Sequence, residues 1–124
     1  MRIQVIEGKF AVCRLRTIER LDLKEDFLFL SKTDEEISLV CREEQVPYDC
    51  LACEKGWRAF RIEGQLDFEI VGLISRMTSL LADQNIGLFA VSTYLTDYTL
   101  VKAENLGRAL ETLKNNGYEV PEVY

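Results

Sequence analysis

The residues best placed by type and spacing to do chemistry are Cys50 and Cys53, in Cys50-Leu51-Ala52-Cys53. A C-x-x-C pair is the spacing of a zinc knuckle or a redox dithiol. A redox pair is expected to open a helix behind a strand, where the dipole lowers a thiol pKa. Here a stretch containing Pro47 precedes the pair and a Gly56 turn is expected after it. Cys13 and Cys41 sit singly in the apolar runs Ala11-Val12-Cys13-Arg14-Leu15 and Ser38-Leu39-Val40-Cys41, where cysteine behaves as a small hydrophobe. The expectation is therefore four reduced thiols, no metal and no cofactor. The chain contains no histidine, which removes the commonest general base and the commonest metal ligand. Serine, threonine and cysteine nucleophiles lack a histidine partner, and no Walker-type or dinucleotide-type glycine pattern occurs. No catalytic residue is assigned, and the reading is non-enzymatic.

The 124 residues carry 15 Lys/Arg against 21 Asp/Glu, a net charge of −6. Up to Gly56 the chain has 9 basic and 12 acidic residues, and from Trp57 onward 6 and 9, so neither half is a basic module. Affinity for phosphate backbones comes from clustered Lys and Arg, so nucleic acid is not an expected partner. No apolar run is long enough to span a membrane, and Met1-Arg2-Ile3-Gln4-Val5-Ile6-Glu7 has no secretory h-region. A cytoplasmic location is the expectation.

The elements that must position any site are clearest from Trp57 onward. Trp57-Arg58-Ala59-Phe60-Arg61-Ile62-Glu63 alternates as a half-exposed strand. Ile70, Leu73, Ile74, Met77, Leu80 and Leu81 recur at helical spacing, with Asp67 as N-cap and Asn85 or Gly87 as the stop. Leu88 to Thr93 reads as a strand, Tyr94-Leu95-Thr96 as a turn, and Asp97 to Val101 as the strand returning antiparallel. A second helix carries Leu106, Ala109, Leu110 and Leu113 and ends at Asn115-Asn116-Gly117, and Tyr118 to Val120 supplies a last strand. This is a β-α-β-β-α-β order, with both helices on one sheet face. Before it, Ile3 to Ile6 and Phe10 to Leu15 read as strands parted by a turn at Glu7-Gly8-Lys9. Arg16 to Asp26 leaves room for two short helical turns, and Phe27 to Leu30 and Ile37 to Cys41 form a hairpin. The first 56 residues would have only a marginal core alone, so the expected arrangement packs 1–56 against 57–124.

The stretch from Trp57 to Val120 resembles an ACT domain, a regulatory module that binds amino acids in many metabolic enzymes. Phe68-Glu69-Ile70-Val71-Gly72-Leu73-Ile74 resembles the place where the first strand gives way to a glycine and the first helix. Leu80-Leu81-Ala82-Asp83-Gln84-Asn85-Ile86 resembles the family's helix end. The run from Phe89 to Val101 is similar to the subgroup of aspartate-kinase regulatory domains and animal cytosolic arginine sensors. The whole chain looks like small bacterial stand-alone proteins with an ACT-like N-terminal part. The implied fold is α+β, a ferredoxin-like βαββαβ ACT domain over 57–124 behind a shortened ACT-like β-rich half over 1–56. The implied function is non-catalytic binding and sensing of a small molecule, an amino acid, at an interface between ACT-type domains. The implied assembly is a homodimer, with the pocket completed by the N-terminal half or by another chain.

By resemblance, Gly72, Thr93, Tyr94 and Asp97 fall where ligand contacts occur in the arginine sensors, with Val71 and Ser92 beside them. The chemistry is compatible: a helix N-terminus suits a carboxylate, Asp97 suits an ammonium, and the hydroxyls of Ser92 and Thr93 both donate and accept. Each residue also has a plain structural use. Asp97 suits a turn, Thr93 a strand and Gly72 helix packing. Trp57, Phe60, Phe89 and Tyr98 suit core or interface. An RNA-recognition reading shares the element order but lacks the basic and aromatic strand motif. The remaining alternative is a structural assembly protein with a vestigial pocket, acting through protein contacts.

Overall fold

The structure, a computed structural model, describes residues 1–63 and 73–124. Its elements are β1 (Ile3–Arg14), β2 (Phe29–Lys32), β3 (Ile37–Arg42), β4 (Ala52–Ile62), α1 (Leu73–Ala82), β5 (Leu88–Ser92), β6 (Asp97–Lys102) and α2 (Leu106–Asn115). The expected cap Asp67, Ile70 and the candidate residues Val71 and Gly72 lie outside the described residues. The chain forms two compact units: Met1–Glu7 with Arg58–Tyr124, and Gly8–Trp57. The two long strands β1 and β4 contribute residues to both. The position between 56 and 57 falls inside β4, and the first seven residues group with the C-terminal part.

In the first of these units the strands neighbour in the order β1-β4-β6-β5. β5 and β6 are antiparallel, from Leu88 opposite Val101 to Ser92 opposite Asp97. The apolar positions expected on the helices face a core with Ile3 of β1, Phe60 and Ile62 of β4 and Val101 of β6. Met77 and Leu81 enter it from α1; Leu106, Ala109, Leu110 and Leu113 enter from α2. Each of these large side chains contributes about 1.5–3 kcal/mol by leaving water, and that burial holds the helices to the sheet.

Both helices end in the same way. After α1 the N–H of Ile86 donates to Leu81 O (3.1 Å) and that of Asn85 to Ala82 O (2.9 Å), with Asn85 at φ 58°. After α2 the N–H of Tyr118 donates to Leu113 O (3.1 Å) and that of Gly117 to Lys114 O (3.2 Å), with Gly117 at φ 94°. These are Schellman motifs, and the flanking pairs Leu81–Ile86 and Leu113–Tyr118 all lie in the core. The start of α2, where capping residues are missing, is instead a 3-10 turn at Ala103–Asn105, which supplies a partner for the N–H of Leu106.

Three local expectations are corrected. The segment Tyr118 to Val120 makes only an isolated parallel bridge, Arg2 to Glu119, and β1 takes the place beside β4. A twelve-residue strand offers a longer ladder than this segment, which Pro121 cuts off by lacking an N–H. The turn expected at Glu7-Gly8-Lys9 is absent, and β1 runs straight through it. Gly8 does so at φ 98°, where a Cβ would stand 3.0 Å from Arg42 Nε, so glycine here serves close approach rather than chain reversal. Likewise β4 passes through Gly56 at φ 87°, whose N–H donates to Glu43 Oε2 at 2.8 Å.

The unit Gly8–Trp57 orders its strands β2-β3-β1-β4. The expected hairpin is present, with Phe29 opposite Val40 and Lys32 opposite Ile37, closed by Thr33 N–H to Glu36 O at 2.9 Å. Its core is Ala11, Cys13, Leu15, Leu39 and Cys41. The span expected to hold two helical turns carries two single hydrogen-bonded turns, Leu21 to Ile18 and Glu25 to Asp22.

Candidate functional site

Four of the six residues singled out for ligand contact, Ser92, Thr93, Tyr94 and Asp97, come together at one hairpin end. β5 stops at Ser92 and β6 starts at Asp97, so Thr93-Tyr94-Leu95-Thr96 makes the turn. The Thr93 N–H and hydroxyl both donate to Thr96 O, at 2.9 and 3.0 Å, and the Thr96 N–H donates back to Thr93 Oγ1 at 3.4 Å. Thr93 is thus committed to the turn, as threonine hydroxyls commonly are. Ser92 and Asp97 face each other across the strand pair, and Ser92 Oγ donates to Asp97 Oδ1. An ionised carboxylate has about four acceptor positions, so this bond leaves Asp97 with capacity for a further donor. Thr96 is buried, and its Oγ1 has no hydrogen-bond partner. Tyr94 and Leu95 at the tip are 79% and 54% exposed.

A concavity of about 380 Å³ lies elsewhere in the same unit, lined by Arg2, Val5, Glu7, Arg58, Glu63 and Tyr124 among others. Arg2 Nε pairs with Glu63 Oε2 at 3.2 Å on its exposed rim. Arg58 Nε is buried there without a hydrogen-bond partner.

The thiols gather in the unit Gly8–Trp57. Cys13 and Cys41 are buried, Cys50 is half-buried and Cys53 is exposed. Cys13 Sγ and Cys53 Sγ are 4.0 Å apart. Burial pushes the Cys41 thiol up to about 11, and burial, with Cys41 beside it, raises Cys13 further still. Among the described residues no cluster of His, Cys, Asp or Glu is arranged to hold a metal ion.

The family model of the ACT domain matches residues 52–115, just over half of the chain. This chain belongs to the ACT domain family. A second family model, for an N-terminal domain, matches residues 8–49. No curated protein sequence matches. Among solved structures, the ACT domain protein is similar to an Agobacterium tumefaciens protein at 27% identity and TM-score 0.85, covering 97% of this chain and 91% of that one. A Vibrio cholerae protein of unknown function, described as a possible transport protein, aligns at 19% identity and TM-score 0.70 over 90% and 85% of the two chains. The ligand-free regulatory subunit of aspartate kinase from Thermus thermophilus shares the fold at 8% identity and TM-score 0.62, covering 93% and 96%. Membership of the family supports a regulatory ligand-binding role.

Three features of the ACT domain protein lie beyond any local pattern in its sequence. Thr96 reads only as a turn residue, and its place before Asp97 is the one local sign of its buried hydroxyl. Arg58 was one charge in an alternating strand, and nothing local distinguishes it from Arg61, whose Nη1 donates to Tyr98 Oη at 2.6 Å. The approach of Cys13 to Cys53 spans 40 residues and depends on strand neighbours that no local pattern reveals.

Proposed function

We propose that this ACT domain protein is a non-catalytic sensor whose ligand is an amino acid, bound at the β5–β6 hairpin. Asp97 takes the ammonium, oriented by Ser92; Thr96 Oγ1 supplies a further polar contact; Tyr94 covers the ligand. Val71 and Gly72 remain candidate contacts by resemblance alone, since they lie outside the described residues. The observation that carries the reading is the hairpin end itself. It holds a carboxylate with spare acceptor capacity beside a buried hydroxyl that has no partner, and such a group in a native structure calls for an explanation. The protein acts as a homodimer in the cytoplasm, where four free thiols suit a reducing compartment. Ligand shifts the population between looser and tighter pairing through its differential affinity for the two states.

Thermal melts against a panel of amino acids, with nucleotides as controls, test this. A ligand at ~100 times its Kd adds about 2.7 kcal/mol, or several degrees for a domain of this size. One amino acid should raise Tm selectively, and Asp97→Ala should abolish the rise. A rise that survives Asp97→Ala but is lost in Arg58→Ala would move the site to the cavity beside β1. The second reading is an assembly protein with a vestigial pocket, favoured by the adjacent exposed Tyr94 and Leu95. Flat melts across the panel would select it.

A further inference from the structure

The C-x-x-C pair opens a strand rather than a helix, since β4 begins at Ala52. Its exposed member, Cys53, has its Sγ 4.0 Å from that of Cys13, a residue 40 positions earlier in the chain. Cys53 is an exposed residue, and Cys13 is buried in an apolar cluster with Leu15, Leu39 and Cys41. That is the division of labour of a peroxide-reactive cysteine and the cysteine that resolves it.

We propose that Cys13 and Cys53 are a reversible dithiol–disulfide site, with Cys53 meeting an oxidant of the peroxide class and Cys13 resolving the product. In the first step the Cys53 thiolate sulfur attacks a peroxide oxygen. The O–O bond breaks, Cys53 becomes a sulfenic acid, and the departing oxygen leaves as water once protonated. In the second step Cys13 sulfur attacks Cys53 sulfur. The S–S bond forms, the S–O bond breaks, and the hydroxyl leaves as a second water with the proton from Cys13. Two thiols are oxidised by two electrons and one peroxide is reduced to two waters. A small-molecule thiol reverses the change by exchange. A disulfide holds its sulfurs about 2 Å apart, so the pair must close by about 2 Å, a distance within reach of rotation about χ1 of Cys53. Burial holds Cys13 out of the oxidant's reach, and its proton leaves with the hydroxyl only as it attacks Cys53. The bond ties β4 to β1 within one unit, independently of any ligand at the hairpin.

The test is hydrogen peroxide treatment of the reduced full chain, followed by peptide mapping under non-reducing conditions. The expected product is a peptide pair joined through Cys13 and Cys53, lighter by two hydrogens and restored by a thiol reductant. Cys50→Ser should leave the link intact and Cys53→Ser should abolish it. In Cys13→Ala, a sulfenic-acid trap should label Cys53 and no link should form. The oxidised protein should melt several degrees above the reduced one. A Cys50–Cys53 link instead, over-oxidation of Cys53 with Cys13 still free, or no reaction at Cys53 would each overturn the assignment. Because Cys53→Ser alters an exposed residue, misfolding of a Cys13 variant leaves the outcome decided.

Discussion

Gly8→Ala puts the strongest strain on the account of β1. At φ 98° the backbone lies where side chains are strained, at a cost on the order of 1–3 kcal/mol. The new methyl would stand 3.0 Å from Arg42 Nε and 3.3 Å from its Cδ, so Arg42 must move. That guanidinium lies 5.7 Å from the Phe10 ring centroid and 5.1 Å from that of Phe27. Each such contact is worth about 0.5–1 kcal/mol. The expected loss is therefore about 2–5 kcal/mol, summing the backbone strain and the two displaced ring contacts. With a urea m-value of about 2 kcal/mol per M, mid-range for a small protein, the midpoint should fall by about 1–2.5 M. Equilibrium unfolding followed by the fluorescence of Trp57, the one tryptophan, reads this directly. In an Arg42→Ala background the Gly8→Ala cost should shrink to the backbone share. Gly87→Ala is the control: its φ is not in the left-handed region and nothing lies within 4 Å. Alanine there should be neutral or stabilise by about 0.4–1 kcal/mol. A Gly8→Ala protein within about 0.5 kcal/mol of the parent, well short of the left-handed backbone penalty, would refute the close-approach argument.

Leu110→Ala, which empties a buried position of α2, should cost about 2–5 kcal/mol in the same assay; a loss below 1 kcal/mol, outside the usual buried-leucine range, would deny that α2 seals the core. Alkaline stability follows from the thiols. The folded state holds Cys41 near 11 against an ordinary 9.0, so it keeps a proton that the unfolded chain releases. Stability is then full below pH 9 and declines as pH rises through about 11, with Cys13→Ala/Cys41→Ala flattening the decline; a parent curve with no downturn over that window would contradict it. Thr93→Val removes a hydroxyl bonded within the turn and should cost about 1 kcal/mol of stability. It should leave any amino-acid-dependent rise in Tm intact, and loss of that rise would make Thr93 a contact residue.

Periodic positions were legible because a single pattern decides them. The spacing of Leu106, Ala109, Leu110 and Leu113 is enough for a helix against a sheet, and all four are buried in that core. The left-handed stops were legible too, in Asn85 and in Gly117. What failed was glycine read as punctuation. Gly8 and Gly56 break a chain in local statistics, yet here Gly8 lets β1 pass close to Arg42, and Gly56 lets β4 hold φ 87° while its N–H bonds Glu43. The failed last strand has the same origin. Tyr118 to Val120 is strand-like by itself, but β1 competes for the same edge of β4 and is far longer. Competition between distant segments leaves no trace in either one. Of the candidate site, the hairpin was legible from its turn; Val71 and Gly72 rest on the resemblance alone.

On the proposed reading, the hairpin geometry also separates Thr93 and Asp97, which the resemblance puts first, and sets beside them Ser92, which it puts second, and Thr96, which it does not include. A ligand can only gain from a polar group whose existing bonds it need not break, since a bond exchanged for another yields little net free energy. Thr93 gives its N–H and its hydroxyl to Thr96, so recruiting it would open the turn. Asp97 receives Ser92 on one oxygen and still accepts elsewhere, and the Ser92 bond fixes where that remaining capacity points. Thr96 gains outright from any polar partner, because its buried Oγ1 starts with none. If the proposed ligand binds there, the expected order of energetic weight is Asp97, then Thr96, then Ser92 as the residue that orients the carboxylate, with Thr93 building the turn that holds all three.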